Sequence, residues 1–160
     1  MTELVSILIP TYNAEKWISD TIKSALNQTW PHKEIIVVDD GSTDSTLQIA
    51  SEFESKSVKI LTQENMGACA ARNKALVFAG GDYIQWLDAD DLLARDKIAQ
   101  QLNKRDTGRD SRILLTSTWA KFFFRHQKAK FIPNSLWNDL SPVEWLTIKF
   151  IENEWMNPAA

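Results

Sequence analysis

Two acidic clusters in this chain each follow directly on a short apolar run. Ile35-Ile36-Val37-Val38 leads into Asp39-Asp40-Gly41-Ser42, and Tyr83-Ile84-Gln85-Trp86-Leu87 leads into Asp88-Ala89-Asp90-Asp91. Short β-branched and aromatic runs of this kind form buried strands. If both strands lie parallel in one sheet, their carboxyl ends share an edge, and there open α/β sheets bind ligands. Gathering five carboxylates at one rim destabilises a fold unless something cationic sits among them, because like charges raise one another's pKa. A divalent metal holding a phosphorylated substrate resolves that conflict.

Each cluster also has a plainer explanation. Asp39-Asp40-Gly41-Ser42 has the composition of a strand-to-helix turn, yet an Asp there can accept hydrogen bonds from a nucleobase N–H or a ribose hydroxyl. Asp88-Ala89-Asp90-Asp91 can cap a helix and favour its dipole. A D-x-D spacing after a buried strand also lets one carboxylate face a sugar-phosphate and the other Mg²⁺ or Mn²⁺, hard ions that keep positions open for phosphate oxygens. Arg72, in Ala71-Arg72-Asn73 after Asn65-Met66-Gly67, is a solvated helix residue when taken alone. Beside an acidic rim its planar fork suits both a carboxylate and a phosphate.

The elements that must position these groups alternate. Leu4 to Ile9 is a strand closed by Pro10. A helix is expected from Ala14 to Leu26, capped by Asn13, with Trp17, Ile18, Ile22, Ala25 and Leu26 on its apolar face. A strand from Glu34 to Asp39 follows, then a helix capped by Ser45 or Asp44 and reaching Phe53. Val58 to Leu61 is a third strand, Cys69 to Phe78 a helix stopped by Gly80-Gly81, and Tyr83 to Leu87 a fourth strand. This order predicts a doubly wound, mainly parallel sheet flanked by helices, with right-handed crossovers.

Beyond Asp91 the pattern changes. A helix is expected over Asp96–Lys104, a polar connector over Arg105–Arg112, and strands over Ile113–Ser117 and Ala120–Phe124. Ser141-Pro142-Val143-Glu144 reads as a helix start, with Ser at the cap and Pro at the first position, and that helix should reach Asn153. His32 and His126 sit among lysines and read as surface residues. Trp17, Trp86 and Trp145 are expected in the core. Trp119, Trp137 and Trp155 lie in the less regular half, where an aromatic can stack on a sugar ring, although packing alone explains them.

Bulk properties narrow the classes. A length of 160 residues with 44% hydrophobic and 24% charged content is that of one soluble globular domain. A net charge of −3 offers no basic field for nucleic acid. One cysteine, Cys69, excludes an internal disulfide and fits a reducing, cytosolic setting, including the inner face of a membrane. No apolar run has the length of a membrane span. Walker A and G-x-G-x-x-G loops do not occur, so P-loop and dinucleotide sites are set aside.

Val5 to Asn13, Gln28-Thr29, Glu34 to Ser42, Asn65-x-Gly67 to Asn73, Gly81-Asp82 and Asp88-Ala89-Asp90-Asp91 together resemble the GT-A glycosyltransferases of family 2. Order and spacing match throughout Leu4 to Leu92. The resemblance implies a GT-A (Rossmann-like) fold and transfer from a nucleotide-diphospho-sugar donor to a glycan or other hydroxyl acceptor. It further implies inversion at the anomeric carbon and a Mg²⁺ or Mn²⁺ ion. In such enzymes the segment matching Pro10-Thr11-Tyr12 and the acid matching Asp39, beside Asp40, cradle base and ribose. By the same resemblance Arg72, Asp88 and Ala89 belong to the donor site, Asp88 meeting ribose or metal and Asp90 binding the metal that bridges the diphosphate.

The family's acidic catalytic base lies in a later segment. None of Asp96, Asp106, Asp110, Asp139, Glu144, Glu152 and Glu154 sits in its expected motif. The sequence therefore reads as a donor-binding half over 1–104, with the start of an acceptor-side region over 105–160 and the base expected beyond Ala160. Two other classes compete. Haloacid-dehalogenase-type phosphatases also carry Asp-x-Asp after a strand, but normally the first strand, and with Thr or Val where Leu92 stands here. A nucleotide-sugar-binding module without turnover is the non-catalytic reading.

Overall fold

The run Val5-Ser6-Ile7-Leu8-Ile9-Pro10-Thr11 forms strand β1, and all seven of its residues are buried. Burial of every residue explains why the run lacks polar alternation: helices cover both faces of a parallel sheet. The computed structural model describes residues 3–104, 115, 118, 120–121, 129–131, 133, 135–138 and 140–152. Their chain separates between Gln100 and Gln101 into two compact units.

In the first unit β1 pairs with β2 (Lys33–Asp39) on one side and β4 (Tyr83–Trp86) on the other, and β2 pairs with β3 (Val58–Thr62). All pairings are parallel and the order is β3-β2-β1-β4, so the expected doubly wound sheet is present. β1 continues through Pro10, where the sequence suggested closure. Leu8 faces β4, its carbonyl accepting the Leu87 N–H at 3.0 Å. Pro10, two residues on, faces the same side beyond the last β4 pair, so its missing N–H leaves no ladder bond unmade.

Helix α1 spans Ile18–Leu26 and buries Ile18, Thr21, Ile22 and Ala25 at helical spacing. Asn13 does not cap it. Its backbone is left-handed at φ +48°, and its side chain accepts from Thr43 N–H at 2.9 Å; a turn on Ala14 precedes the helix instead. Helix α2 (Thr46–Ser51) ends short of Phe53, and of its two candidate caps Asp44 serves, accepting from Thr46 N–H at 2.9 Å. Helix α3 (Ala68–Phe78) lays Ala71 and Ala75 on Leu8, Ile36 and Val38. It ends at an extended Ala79 and not in a glycine cap. Gly81 matters for proximity, since a β-carbon there would lie 2.7 Å from Ser6 N and 2.9 Å from Leu4 O. Helix α4 (Lys97–Lys104) crosses the boundary between units.

In the second unit β5 (Ala120–Lys121) pairs antiparallel with β6 (Lys130–Phe131), so the partner of this strand is a segment the sequence did not flag. Helix α5 (Pro142–Phe150) begins with a complete capping box between Ser141 and Glu144, as its sequence predicts. The connector Arg105–Arg112, the strand over Ile113–Ser117 except Leu115, and residues 122–128 and 153–160 lie outside the described residues. So do Trp119, His126 and Asp139, and the side chain of Trp137.

Candidate functional site

The carboxyl ends of β1, β2 and β4 and the first turn of α3 enclose a cleft of about 480 Å³. β1 contributes Pro10 and Thr11, and the loop after it adds Tyr12, Asn13, Ala14 and Trp17. Thr11 is 3% exposed, and its hydroxyl has no hydrogen-bond partner. The β1–α1 loop is stitched to the β2–α2 loop along its length. Asn13 N–H donates to Ser42 Oγ at 3.0 Å, Ala14 N–H to Thr46 Oγ1 at 2.7 Å, and Ser45 N–H to Glu15 Oε2 at 3.1 Å.

The adjacent acids at the end of β2 have different tasks. Asp39 is buried, and its carboxylate accepts from the N–H and the hydroxyl of Ser42; it stands behind the cleft wall, not on it. Asp40 lines the cleft and ties down the β3–α3 loop. It accepts from Gln63 Nε2 at 2.7 Å, Met66 N–H at 2.9 Å and Gly67 N–H at 2.8 Å. Burial alone would raise its pKa, but these three donors outweigh burial and hold it below the ordinary carboxylate value. Gly41 between the loops adopts φ +72°, and a β-carbon there would meet Asn65 N at 2.8 Å.

At the end of β4, Asp88, Ala89 and Asp90 line the cleft together with Arg72 of α3. Arg72 Nη2 donates to Asp88 Oδ1 at 2.7 Å, an ion pair about one-third exposed (34% and 28% for the side chains). Here an arginine does stand among the acids. The segment after Asp88 is held by α1 and by Gln28 just beyond its end. Thr21 Oγ1 donates to Ala89 O at 2.7 Å, Leu93 N–H donates to Ser24 Oγ at 3.1 Å, and Gln28 Nε2 donates to Ala94 O at 2.7 Å. Sequence reasoning missed these three residues as supports of the site. Their spacing at i, i+3 and i+7 beside the apolar stripe was the available signal.

Of the residues singled out from sequence, Pro10, Thr11, Tyr12, Asp40, Arg72, Asp88, Ala89 and Asp90 meet in this one cleft. Trp17 departs from expectation: it is 50% exposed and lines the cleft. It precedes the first helical turn, so it escapes the face that buries Ile18 and Ile22. Trp86 packs against the core cluster as expected, His32 is exposed, and Trp145 is half-buried in edge-to-face contact with Phe150. Among the described residues, no three His, Cys, Asp or Glu side chains converge to hold a metal by themselves. Asp88 and Asp90 nonetheless offer hard oxygen donors beside Arg72, and this set fits Mg²⁺ or Mn²⁺ taking its other ligands from phosphates and water.

The sequence pattern of glycosyl transferase family 2 matches residues 6–141, a span that contains every residue lining the cleft. The chain belongs to glycosyl transferase family 2. Among its relatives is a putative teichuronic acid biosynthesis glycosyltransferase, TuaG of Bacillus subtilis, 47% identical over 62% of this chain and 40% of the relative. Another is the Escherichia coli enzyme WfgD, a UDP-Glc:α-D-GlcNAc-diphosphoundecaprenol β-1,3-glucosyltransferase, 45% identical over 62% of this chain and 40% of the relative. The chain thus spans about two-fifths of the curated relatives it matches. Staphylococcus aureus TarS in complex with UDP-GlcNAc superposes with a TM-score of 0.59 at 34% identity, covering 62% of this chain and 30% of TarS. The mannosyltransferase PcManGT of Pyrobaculum calidifontis, in complex with GDP-Man and Mn²⁺, gives a TM-score of 0.58 at 30% identity, over 64% of this chain and 32% of the other. These family 2 structures share the GT-A fold seen here. Among the described residues no helix is long and apolar enough to cross a membrane.

Proposed function

We propose that the cleft binds a nucleoside-diphosphate sugar as the donor site of an inverting, metal-assisted glycosyltransferase whose acceptor is a glycan or other hydroxyl. The observation that carries this reading is the Arg72–Asp88 pair with Asp90 beside it at the carboxyl edge of the sheet. Pro10, Thr11, Tyr12 and Asp40 would receive base and ribose, with Asp39 shaping that wall through Ser42. Asp88 and Asp90 would hold the cation, and Arg72 can shift its fork from carboxylate to phosphate. A cation held there would supply charge neutralisation for the departing diphosphate. Relatives with UDP-GlcNAc, or with GDP-Man and Mn²⁺, in their complexes support this assignment.

Residues 1–104 form the donor half in this reading, and 105–160 belong to the acceptor side. Among the described residues, the acids that line the cleft are Asp40, Asp88 and Asp90. In this reading Asp40 is given to the nucleoside and Asp88 and Asp90 to the cation, so none of these three is assigned to deprotonate an acceptor. The donor half, residues 1–104, is assigned donor binding without a base, and a transfer lacking a positioned base is about 10²–10⁴-fold slower. Calorimetry with UDP tests the donor site: binding with Mn²⁺ should weaken sharply in EDTA and in Asp90→Asn. Equal affinity with and without the metal would remove Asp88 and Asp90 from this role.

A further inference from the structure

We propose that the indole of Trp17 is a platform on which a pyranose ring stacks at the acidic end of the cleft, a role that rests on the donor-site reading above. Trp17 leaves half of its surface in water while lining the cleft, whose other half-exposed aromatic, Tyr12, is assigned above to base and ribose. Its main chain is fixed from both directions. Trp17 N–H donates to Ala14 O at 2.9 Å, and Ala14 N–H is itself held by Thr46 Oγ1. Thr21 Oγ1 lies 3.3 Å from Trp17 O and donates to Ala89 O at 2.7 Å. One hydroxyl thus touches the main chain of both Trp17 and Ala89, and Trp17 lines the same cleft as Asp88 and Asp90.

That location selects the ligand. Arg72 and the acidic pair mark where a diphosphate and its cation sit, and the group covalently beyond a diphosphate is the sugar. One face of a pyranose presents C–H bonds with a slight positive charge, which suits the negative face of an indole. The ring's hydroxyls can then turn toward the carboxylates at its edge. A tryptophan held by its backbone offers this contact at low cost in conformational entropy. The ring can belong to the donor or to a sugar acceptor, because both meet at the same reacting centre.

The test compares the chain with Trp17→Ala and Trp17→Phe, after thermal melts confirm that each variant folds. UDP, UDP-glucose and methyl β-D-glucopyranoside are titrated with Mn²⁺ present, the glucoside both with and without UDP. Trp17→Ala should weaken UDP-glucose or the glucoside about tenfold, the scale of one lost aromatic contact, while UDP alone changes little. Trp17→Phe should recover most of the loss. Loss for UDP-glucose assigns the platform to the donor, and loss for the glucoside assigns it to the acceptor. Equal loss for UDP and UDP-glucose, or no loss for either sugar probe, overturns the proposal. If the wild type binds no UDP, the donor-site reading fails on its own, and the glucoside titration without UDP still decides Trp17; a wild type that ignores it counts against the platform.

Discussion

The hydroxyl of Thr21 on α1 donates to the carbonyl oxygen of Ala89 at 2.7 Å, across 68 residues of sequence. Ala89 lies between the two carboxylates proposed to hold the cation, so a helix remote in sequence sets their spacing. Thr21→Val keeps the shape and removes the donor, leaving a part-buried carbonyl short of a partner. Stability should fall by about 1–3 kcal/mol. Mn²⁺-dependent UDP binding should weaken beyond what the melt explains, and Thr21→Ser should restore both. An unchanged metal dependence in calorimetry would confine Thr21 to packing.

Asp39→Ala separates a buried structural acid from a ligand-facing one. A place at a strand end by itself predicts little effect on folding. In the structure it is 2% exposed and both carboxylate oxygens are engaged by Ser42. Removing it strands the Ser42 donors and loosens Asn13, which donates to Ser42 Oγ. The expected result is a loss of about 1–3 kcal/mol in denaturant titration, together with weaker nucleotide binding.

Lys97 gives the pH dependence of the fold a specific sign. Its ammonium donates to Gln85 Oε1 at 2.6 Å, and burial lowers its pKa to about 8. Because the folded state holds this proton less tightly than the unfolded chain, the charged form opposes folding below about pH 8. That penalty fades as pH rises toward the unfolded value of about 10.4. The stability of the wild type relative to Lys97→Met should therefore increase from pH 8 to 10. A flat or falling difference between the two melting curves would contradict the burial of this group.

Gly81→Ala probes the fit of the chain entering β4. A methyl group there would meet backbone atoms of Leu4 and Ser6 at under 3 Å, and backbone cannot swing aside as a side chain can. Overpacking of this kind costs about 1–3 kcal/mol. Gly80→Ala, whose nearest neighbour is Glu34 Oε1 at 3.6 Å, should be nearly silent in the same melt.

The sheet was legible because its strands are continuous apolar runs ended by turn residues, and parallel order follows from the alternation with helices. The acidic rim was legible for the same reason, since strand ends are where such runs stop. Less visible was everything that depends on distant main chain. Thr21, Ser24 and Gln28 bond backbone atoms 66–69 residues away, and a carbonyl carries no residue-type signature. Trp17 was misplaced by one turn: helical periodicity was extended backward through Ala14, where a turn rotates the indole out of the apolar stripe. β6 was missed because a strand of two residues has no period to detect.

The strand order has a consequence for synthesis on the ribosome. β1 emerges first, yet one of its two neighbours is β4, with Val5 opposite Tyr83. At about 5–20 residues per second, that edge waits several seconds for its partner. During the wait, β1 and β2 form an apolar ribbon with an unpaired side, the kind of edge that recruits strands from other chains. Nascent chains halted before Tyr83 should sediment as aggregates unless a chaperone covers them, whereas chains carrying all of β4 should stay dispersed. The central strand is the first made and the last enclosed.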